Sequence, residues 1–356
     1  TIGGLNVEGG ELTVYEKNLT YGSNPNAAEL TQSGTFTVNA PDGLQSLTVS
    51  GVSIISGGVP VGFPQSGSTD TGATFTITGY NPTTGVVSYS YTLSGTIDND
   101  SKAGATLTEF DDSVTITVNG VGGTSGSDQL IVRIVDDTPT AKDENGGSVT
   151  EDVAGSLNGN VLSNDTVGAD TPAAFVGWSA TGHNNSAAVT ALTTYGNFVQ
   201  NGDGSWTYAL DNSRPATQAL TSAFDQSYDV WYTMKDADGD ESIAKLTINI
   251  KGSNDTSSVV TAVASGPDHL VYESGLNPNG SNAGATTETV TGSFTVSASD
   301  GILNVVIGGT TYTLAQLQGF NGTQSVNTGE GILTLLSYSG TASGGTVNYR
   351  YTLSAT

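Results

Sequence analysis

A chain made only of β-strands, folded as several sandwiches in a row, is what three features of this sequence predict. Apolar or aromatic residues alternate with Thr, Ser and Asn at period two, in GTFTVNA (34–40), ATFTITGY (73–80), VSYSYTLSG (87–95), SVTITVNG (113–120), QLIVRIVDD (129–137), AKLTINIKG (244–252) and GSFTVSAS (292–299). Such runs read as half-buried strands. Clusters of Gly, Asn, Asp and Pro separate them, and no stretch carries a sustained helical stripe with caps. The nearest helical candidates are TQALTSAF (217–224) and TYTLAQLQGF (311–320), each a turn or two. The alternation also answers the main competitor, disorder, because Leu, Ile, Val and Phe make up only about a fifth of the residues, close to the line below which charged chains fail to collapse.

The third feature is an internal duplication, which organises the chain. LTVYEKNL…SGTFTVNAPDGLQSLTVSG (12–51) recurs as LVYESGL…TGSFTVSASDGILNVVIGG (270–309), pairing Glu16 with Glu273, Phe36 with Phe294 and Asp42-Gly43 with Asp300-Gly301. VVSYSYTLS (86–94) returns as TVNYRYTLS (346–354), at an offset of roughly 257 to 260 throughout. That spacing exceeds one sandwich, so a unit of different pattern lies between the copies. Punctuation sets the boundaries: a strand closing on Asp136-Asp137 and followed by Pro139, then a strand followed by Gly, Ser, Asn254 and Asp255. The expected units are therefore 1–137, 138–255 and 256–356. The last should lack the final strands of the first, through truncation or an inserted domain, and so should present an open sheet edge.

Residues 140–255, with GNVLSND (159–165), YGNFVQNGDGSWTYAL (195–210) and YDVWYTMKDADGDESIAKLTINIKGSND (228–255), resemble the bacterial cadherin-like or VCBS repeat of giant surface adhesins. The outer units, through YTLSGTIDN, DSVTITVNG and QLIVRIVDDTPTA, resemble the type I secretion target repeats of RTX adhesins. The glycine-rich nonapeptide of the RTX β-roll is absent, GGTSGSD (122–128) being only a loose echo. The resemblance implies tandem Ig-like or cadherin-like β-sandwiches and a Gram-negative source with type I export. It further implies calcium-dependent folding outside the cell and a role in adhesion or biofilm formation at the bacterial surface.

The carboxylates make an independent argument for a metal. Acidic residues number 34 against 9 basic ones, for a formal charge of −25, and they gather where loops meet strand ends. Two carboxylates about 4 Å apart in a partly screened site repel by roughly 4 kcal/mol, a large share of a domain's 5–15 kcal/mol. A hard dication relieves this. Calcium accepts six to eight oxygens in flexible loop geometry, whereas magnesium is stricter and keeps its water. Without cysteine, and with only His183 and His269 for imidazole ligation, any metal here must bind oxygen.

Candidate calcium ligands follow from this clustering. Asp236, Asp238 and Asp240 alternate in KDADGDES (235–242), which is not an EF-hand because Glu241 and Thr247 stand at its sixth and twelfth positions. The family likeness makes Asn164-Asp165 the partner loop; alone, that pair also reads as a turn. Asp136, Asp137, Asp143 and Glu151 or Asp152 are expected to share an ion at the first linker, and Asn254, Asp255 and Glu273 at the second. Glu16 occupies the same repeat position as Glu273, and Asp98 with Asp100 (TIDNDSKAG) forms a further candidate loop.

Other functions fit less well. The basic residues cannot furnish a stripe for nucleic acid, and no apolar run of ~18 residues or Sec-type leader is visible, so no membrane insertion of this segment is expected. No nucleophile elbow, P-loop, GxGxxG after a strand or HExxH occurs, and the acids sit in Gly/Asn/Ser loops rather than an apolar site, so no catalytic residues are assigned. His183 and His269 read as surface residues, and at least two of Trp178, Trp206 and Trp231 as core. The expected protein is a monomeric, calcium-rigidified extender that holds ligand-binding domains away from the cell. Its partners would be Ca2+, neighbouring domains of the same adhesin, and surface glycans reached through other domains. The alternative is that one unit itself binds a glycan or peptide, with the Tyr-rich strands at 87–91 and 347–351 as a stacking platform.

Overall fold

The computed structural model describes residues 1–5, 10–261 and 269–354. They form all-β tandem domains around three separate apolar cores.

The first sandwich has strands β1 (Ile2–Gly3), β2 (Leu12–Tyr15), β3 (Thr31–Val38), β4 (Leu44–Val49), β5 (Val52–Ser56) and β6 (Val59–Pro60). It continues with β7 (Gln65–Ser68), β8 (Thr74–Asn81), β9 (Val86–Thr92), β10 (Glu109–Gly120) and β11 (Ser125–Val135). One sheet runs β1-β3-β9-β8-β7 and the other β2-β11-β10-β4-β5-β6. Inward positions of each alternating run supply the core, with Phe36, Tyr89, Tyr91, Ile116 and Val132 at most 4% exposed. The Tyr-rich strand β9 is thus core rather than an exposed stacking platform. Tyr91 finds a partner for its hydroxyl inside, donating to Asp112 Oδ2 at 2.6 Å. The first strand runs parallel to the last: β2 lies beside β11 with Tyr15 opposite Val135.

The second sandwich repeats that closure. Its strands are β12 (Glu144–Thr150), β13 (Leu157–Asn160), β14 (Ala174–Gly177), β15 (Gly196–Gln200), β16 (Ser205–Leu210), β17 (Asp225–Lys235) and β18 (Glu241–Lys251). They pair as β12-β18-β17-β14 and β13-β16-β15, with β12 parallel to β18. Trp206 is buried, Trp178 packs against the core, and Trp231 stacks on exposed His183 with ring centroids 3.5 Å apart. Between β14 and β15 the chain forms a helix, α1 (Ser186–Tyr195), where none was expected. Its inward face, Ala188, Val189, Leu192 and Tyr195, does recur at helical spacing, but it is short and lies in a Thr-rich run of weak helical propensity. The expected helical segment at 217–224 is instead a series of turns.

In the third sandwich the strands are β19 (Ser257–Val260), β20 (Thr289–Ala298), β21 (Asn304–Ile307), β22 (Thr310–Thr313), β23 (Gln324–Asn327), β24 (Gly331–Gly340) and β25 (Gly344–Leu353). A short helix, α2 (Leu314–Gln318), falls within the second helical candidate; Thr313 and Gln316 close a capping box at its start. The sheets are β19-β20-β25-β24-β23 and a bare pair, β21-β22. The larger sheet copies its counterpart closely. Gly292 faces Tyr349 as Gly34 faces Tyr89, and the register slips after Leu335 as it does after Ile77.

Burial separates the two copies, so the same truncation should cost different amounts in each. Phe36→Ala removes a fully enclosed ring and should destabilise the first sandwich by about 3–5 kcal/mol. Phe294→Ala, at a half-buried counterpart, should cost the third less than half of that. Urea unfolding followed by residue-resolved amide exchange separates the two domains; equal losses would mean that the third core is as closed as the first.

A candidate metal centre at the first junction

The parallel pairing of β2 with β11 sets the geometry of the first junction. Tyr15 and Val135 are register partners, so the next residues along, Glu16 and Asp136, emerge side by side where the two strands end. Glu16 starts a 3₁₀ turn and is fully buried; its Oε1 accepts from the Ile97 amide at 2.6 Å and its Oε2 has no partner. Asp136 Oδ1 accepts from the Asp137 amide at 2.7 Å, and its Oδ2 is likewise buried without a partner. Asp137 turns back onto the first sandwich, accepting from Ser23 N at 2.6 Å and Ser23 Oγ at 2.5 Å.

Acids of the second sandwich come up to meet them. Asp236, Asp238 and Asp240 lie in the turn between β17 and β18, which is tied to Asp170 by a 3.0 Å hydrogen bond from the Ala237 amide to the Asp170 carbonyl. Asp236 Oδ1 accepts from the amides of Gly239 and Asp240, at 3.1 and 2.9 Å. Its other oxygen, one oxygen each of Asp170 and Asp240, and both of Asp238 are buried without partners. Carboxylate oxygens of Glu16, Asp136 and Asp170 all lie within 4.8 Å of one another, as do those of Asp136, Asp238 and Asp240. Asp136 belongs to both groups. The chain approaches itself too closely at Gly168 for a side chain, whereas at Gly239 the neighbour is the movable end of Asp100. A Cβ on Gly168, whose φ is +89°, would stand 1.9 Å from the Asp137 carbonyl oxygen, and one on Gly239 would stand 2.5 Å from Asp100 Oδ2.

Among the described residues no lysine or arginine pairs with these acids: the ion pairs involve Glu109, Asp111, Asp211, Asp225 and Asp229 instead. Burial, reinforced by Asp170 and Asp136, pushes the Glu16 carboxyl up to about 9. Burial and the neighbouring Asp240 push Asp136 to about 7, and burial with Asp238 pushes Asp236 to about 8. Asp170 and Asp240 are raised as well, chiefly by burial. Desolvation and like charge therefore act in one direction, against ionisation.

The other candidate ligands are placed elsewhere, in groupings that differ from the expected ones. Glu151, fully buried, and Asp152 lie at the second linker, not the first. Glu151 Oε2 accepts from Ser253 N at 3.1 Å while Oε1 has no partner. Asp255 joins them, its amide donating to Asp300 Oδ2 at 2.8 Å, and Asp255 Oδ2 and Asp300 Oδ1 are also unpartnered. Hydrogen bonding to Asp255 raises Asp152, and burial raises Glu151. Asn254 accepts from Ser222 N at 2.8 Å. Glu273 is exposed, unlike its repeat counterpart Glu16.

Three more residues serve the second sandwich internally. Asp165 accepts from Lys142 N at 2.7 Å and from the buried Tyr232 hydroxyl at 2.9 Å. Asn164 donates to the carbonyls of Lys142 and Asp143, and Asp143 accepts from Lys245 N at 3.2 Å. These contacts secure the incoming linker rather than joining the Asp236–Asp240 turn. Asp98 is held by its own turn, where hydrogen bonds from Ser101 lower its carboxyl.

Sequence reasoning passed over Asp170 and Asp300 as ligands. Asp170 is visible as one of the clustered acids, and Asp300 only as part of an Asp-Gly turn repeated from Asp42-Gly43, so neither carries a spacing signal of its own.

No protein-family model and no curated protein matches the chain. Among solved structures it is similar to the extracellular cadherin domains 1–4 of protocadherin gamma B7, at 15% identity and a TM-score of 0.29, covering 97% of this chain and 66% of that one. It is similar also to domains EC1-3 of mouse clustered PcdhgC3, at 14% identity and a TM-score of 0.23, over 68% of this chain and 64% of that one. A third is the eight N-terminal Ig domains of Down Syndrome Cell Adhesion Molecule, at 10% identity and a TM-score of 0.20, covering 89% and 35%. The chain spans about two thirds or less of each of these chains.

The raised carboxyls carry a pH signature. Because each folded value lies above the unfolded one, their protonated forms support the metal-free fold fully below about pH 4, and that support is lost as pH rises through about 7 to 9. In chelator, the melting temperature should fall across this window, and Glu16→Gln should flatten the fall. An identical slope in the variant would show that Glu16 is not crowded by its neighbours in solution.

Proposed function

We propose that this chain is an extender segment of a bacterial surface adhesin, with junctions stiffened by calcium so that ligand-binding domains are held away from the cell. One observation carries the reading: buried, unpartnered carboxylate oxygens from two successive sandwiches converge at the first junction with no lysine or arginine among them. Glu16 and Asp136 from the first sandwich, with Asp170, Asp238 and Asp240 from the second, would hold the ion or ions, and Asp236 and Asp100 stand beside them. At the second junction the corresponding set would be Glu151, Asp152, Asp255 and Asp300. All-oxygen donors in loops suit calcium over softer metals.

The chain's own part in the mechanism is mechanical. Linkers of the Asp-Asp-Thr-Pro and Gly-Ser-Asn-Asp type leave successive domains free to swing. Ligands drawn from both sides of a linker let a bound dication, which supplies the neutralising charge, remove that freedom. Extracellular modules bind calcium at about 10⁻⁴–10⁻³ M, so the joint would stay loose in a calcium-poor cytosol and lock outside the cell. The adhesin setting rests on the likeness of residues 140–255 to VCBS repeats and of the outer units to type I secretion target repeats. Carboxylates engaged in holding an ion are withdrawn from acid–base work, which favours a non-enzymatic role.

Small-angle scattering and thermal melting, each in calcium and then in EDTA, test the proposal. Chelation should change the scattering profile and lower the melting temperature, and constancy of both would end the extender mechanism. Asp136→Asn should weaken calcium binding at the first junction about tenfold or more, equivalent to about 1.4 kcal/mol. In EDTA the same variant should be more stable than the parent, by about 1–4 kcal/mol, because one repelling charge is gone. Destabilisation in both conditions would make Asp136 a structural residue instead.

A further inference from the structure

Asp136 belongs to both carboxylate groups of the first junction, yet its neighbour Asp137 belongs to neither. Asp137 is nonetheless only 7% exposed. A carboxylate is buried at a cost unless its oxygens find donors, and both oxygens of Asp137 find them in one residue. Ser23 donates to Oδ2 through its amide, at 2.6 Å, and to Oδ1 through its hydroxyl, at 2.5 Å. Two bonds to one ionised group fix its plane as well as its position. From the other side Gly168 closes over the linker, where a Cβ would stand 1.9 Å from the Asp137 carbonyl oxygen.

Ser23 lies in a segment knitted to the 3₁₀ turn that Glu16 opens. Gly22 N donates to Leu19 O, Asn24 N to Lys17 O and Asn26 N to Asn18 O, each at 2.9 Å. A Cβ on Gly22 would lie 2.3 Å from Lys17 O, so this fold-back requires glycine. The duplication carries the same piece: Gly22-Ser23-Asn24 recurs as Gly280-Ser281-Asn282. There Asn282 N donates to Ser274 O at 2.8 Å, and a Cβ on Gly280 would again lie 2.3 Å from that carbonyl oxygen. In the first sandwich the outcome is a closed ring. Glu16 and Asp136 are tied on one side by the parallel pairing of Tyr15 with Val135, and on the other through the Glu16 turn, Ser23 and Asp137.

We propose that Ser23 is a positioning residue for the first junction. It anchors Asp137, which binds no ion itself, and thereby holds Asp136 with its unpartnered Oδ2 beside Glu16 and Asp170. The proposal rests on the calcium reading of that junction. Groups that orient a metal ligand contribute about 10–100-fold in affinity. Ser23 acts through the residue next to the ligand, so its effect belongs at the lower end.

Calorimetric calcium titration of the full chain tests this, the first-junction sites being those that Asp136→Asn weakens. Ser23→Ala should weaken the same sites about tenfold, and Ser23→Thr, which keeps the hydroxyl, should recover most of the loss. Asp137→Asn retains an oxygen for the Ser23 amide and should cost less than Asp136→Asn. Equal losses in those two variants would make Asp137 a ligand and overturn the proposal; so would failure of Ser23→Thr to recover binding, which would assign the effect to packing of the turn. Hydrogen exchange in EDTA reads the anchor without metal. The amide of residue 23 should exchange about tenfold faster or more in Asp137→Ala than in the parent, and unchanged exchange also overturns the proposal. A parent chain that binds no calcium ends the calcium reading together with this one, whereas calcium binding indifferent to Ser23→Ala ends this one alone.

Discussion

At the first junction, buried carboxylate oxygens from two domains stand without hydrogen-bond partners, and no ion pair among the described residues reaches them. Two charges at ~4 Å in a medium of effective dielectric near 20 repel by about 4 kcal/mol, so several of them together are comparable with the stability of a whole domain. Either the acids are protonated or something positive lies among them. Glu16 is the clearest member, fully buried, anchored by one hydrogen bond from Ile97 and left with a free oxygen facing Asp136 and Asp170. Gly168 and Gly239 lie in the same junction, where an added Cβ would meet the Asp137 carbonyl and the Asp100 carboxylate.

The repeat shows how far one sequence pattern can be redirected by its surroundings. Glu16 and Glu273 sit at equivalent positions, each opening a 3₁₀ turn after a Val-Tyr pair. Glu16 is carried to the end of a parallel strand pair and buried against a second domain. Glu273 follows residues that pair with no parallel neighbour, and it remains at the surface. The same contrast runs through the cores, where Tyr89 and Tyr91 are enclosed and Tyr349 and Tyr351 are only half-buried. The third domain keeps the larger sheet, including the register slip after Leu335, because that sheet's hydrogen bonds are internal to it.

Much of the fold was legible in advance, for a simple reason. Strand alternation is a local property, and runs such as SVTITVNG and AKLTINIKG state which side faces the core without reference to anything distant. Helix α1 was not expected, since its apolar face, Ala188, Val189, Leu192 and Tyr195, spans only two turns and sits among β-branched Thr and Val. The acidic residues stood out as clusters, but their partners did not. Asp165 meets Lys142 across a linker crossing, and Asp255 meets Asp300, whose charge also reaches Glu151; neither pairing has a fixed spacing along the chain.

By itself, then, the sequence determined an all-β chain, its internal duplication, its lack of any thiol chemistry and an excess of acid that demands a counter-charge, because composition and periodicity are properties each segment carries alone. Which carboxylates share a site was decided only in three dimensions. The parallel register of β2 on β11 brings Glu16 beside Asp136, and the docking of the β17–β18 turn adds Asp238 and Asp240. Those contacts join residues more than a hundred positions apart, and only strand pairing and domain packing bring them within reach of one another.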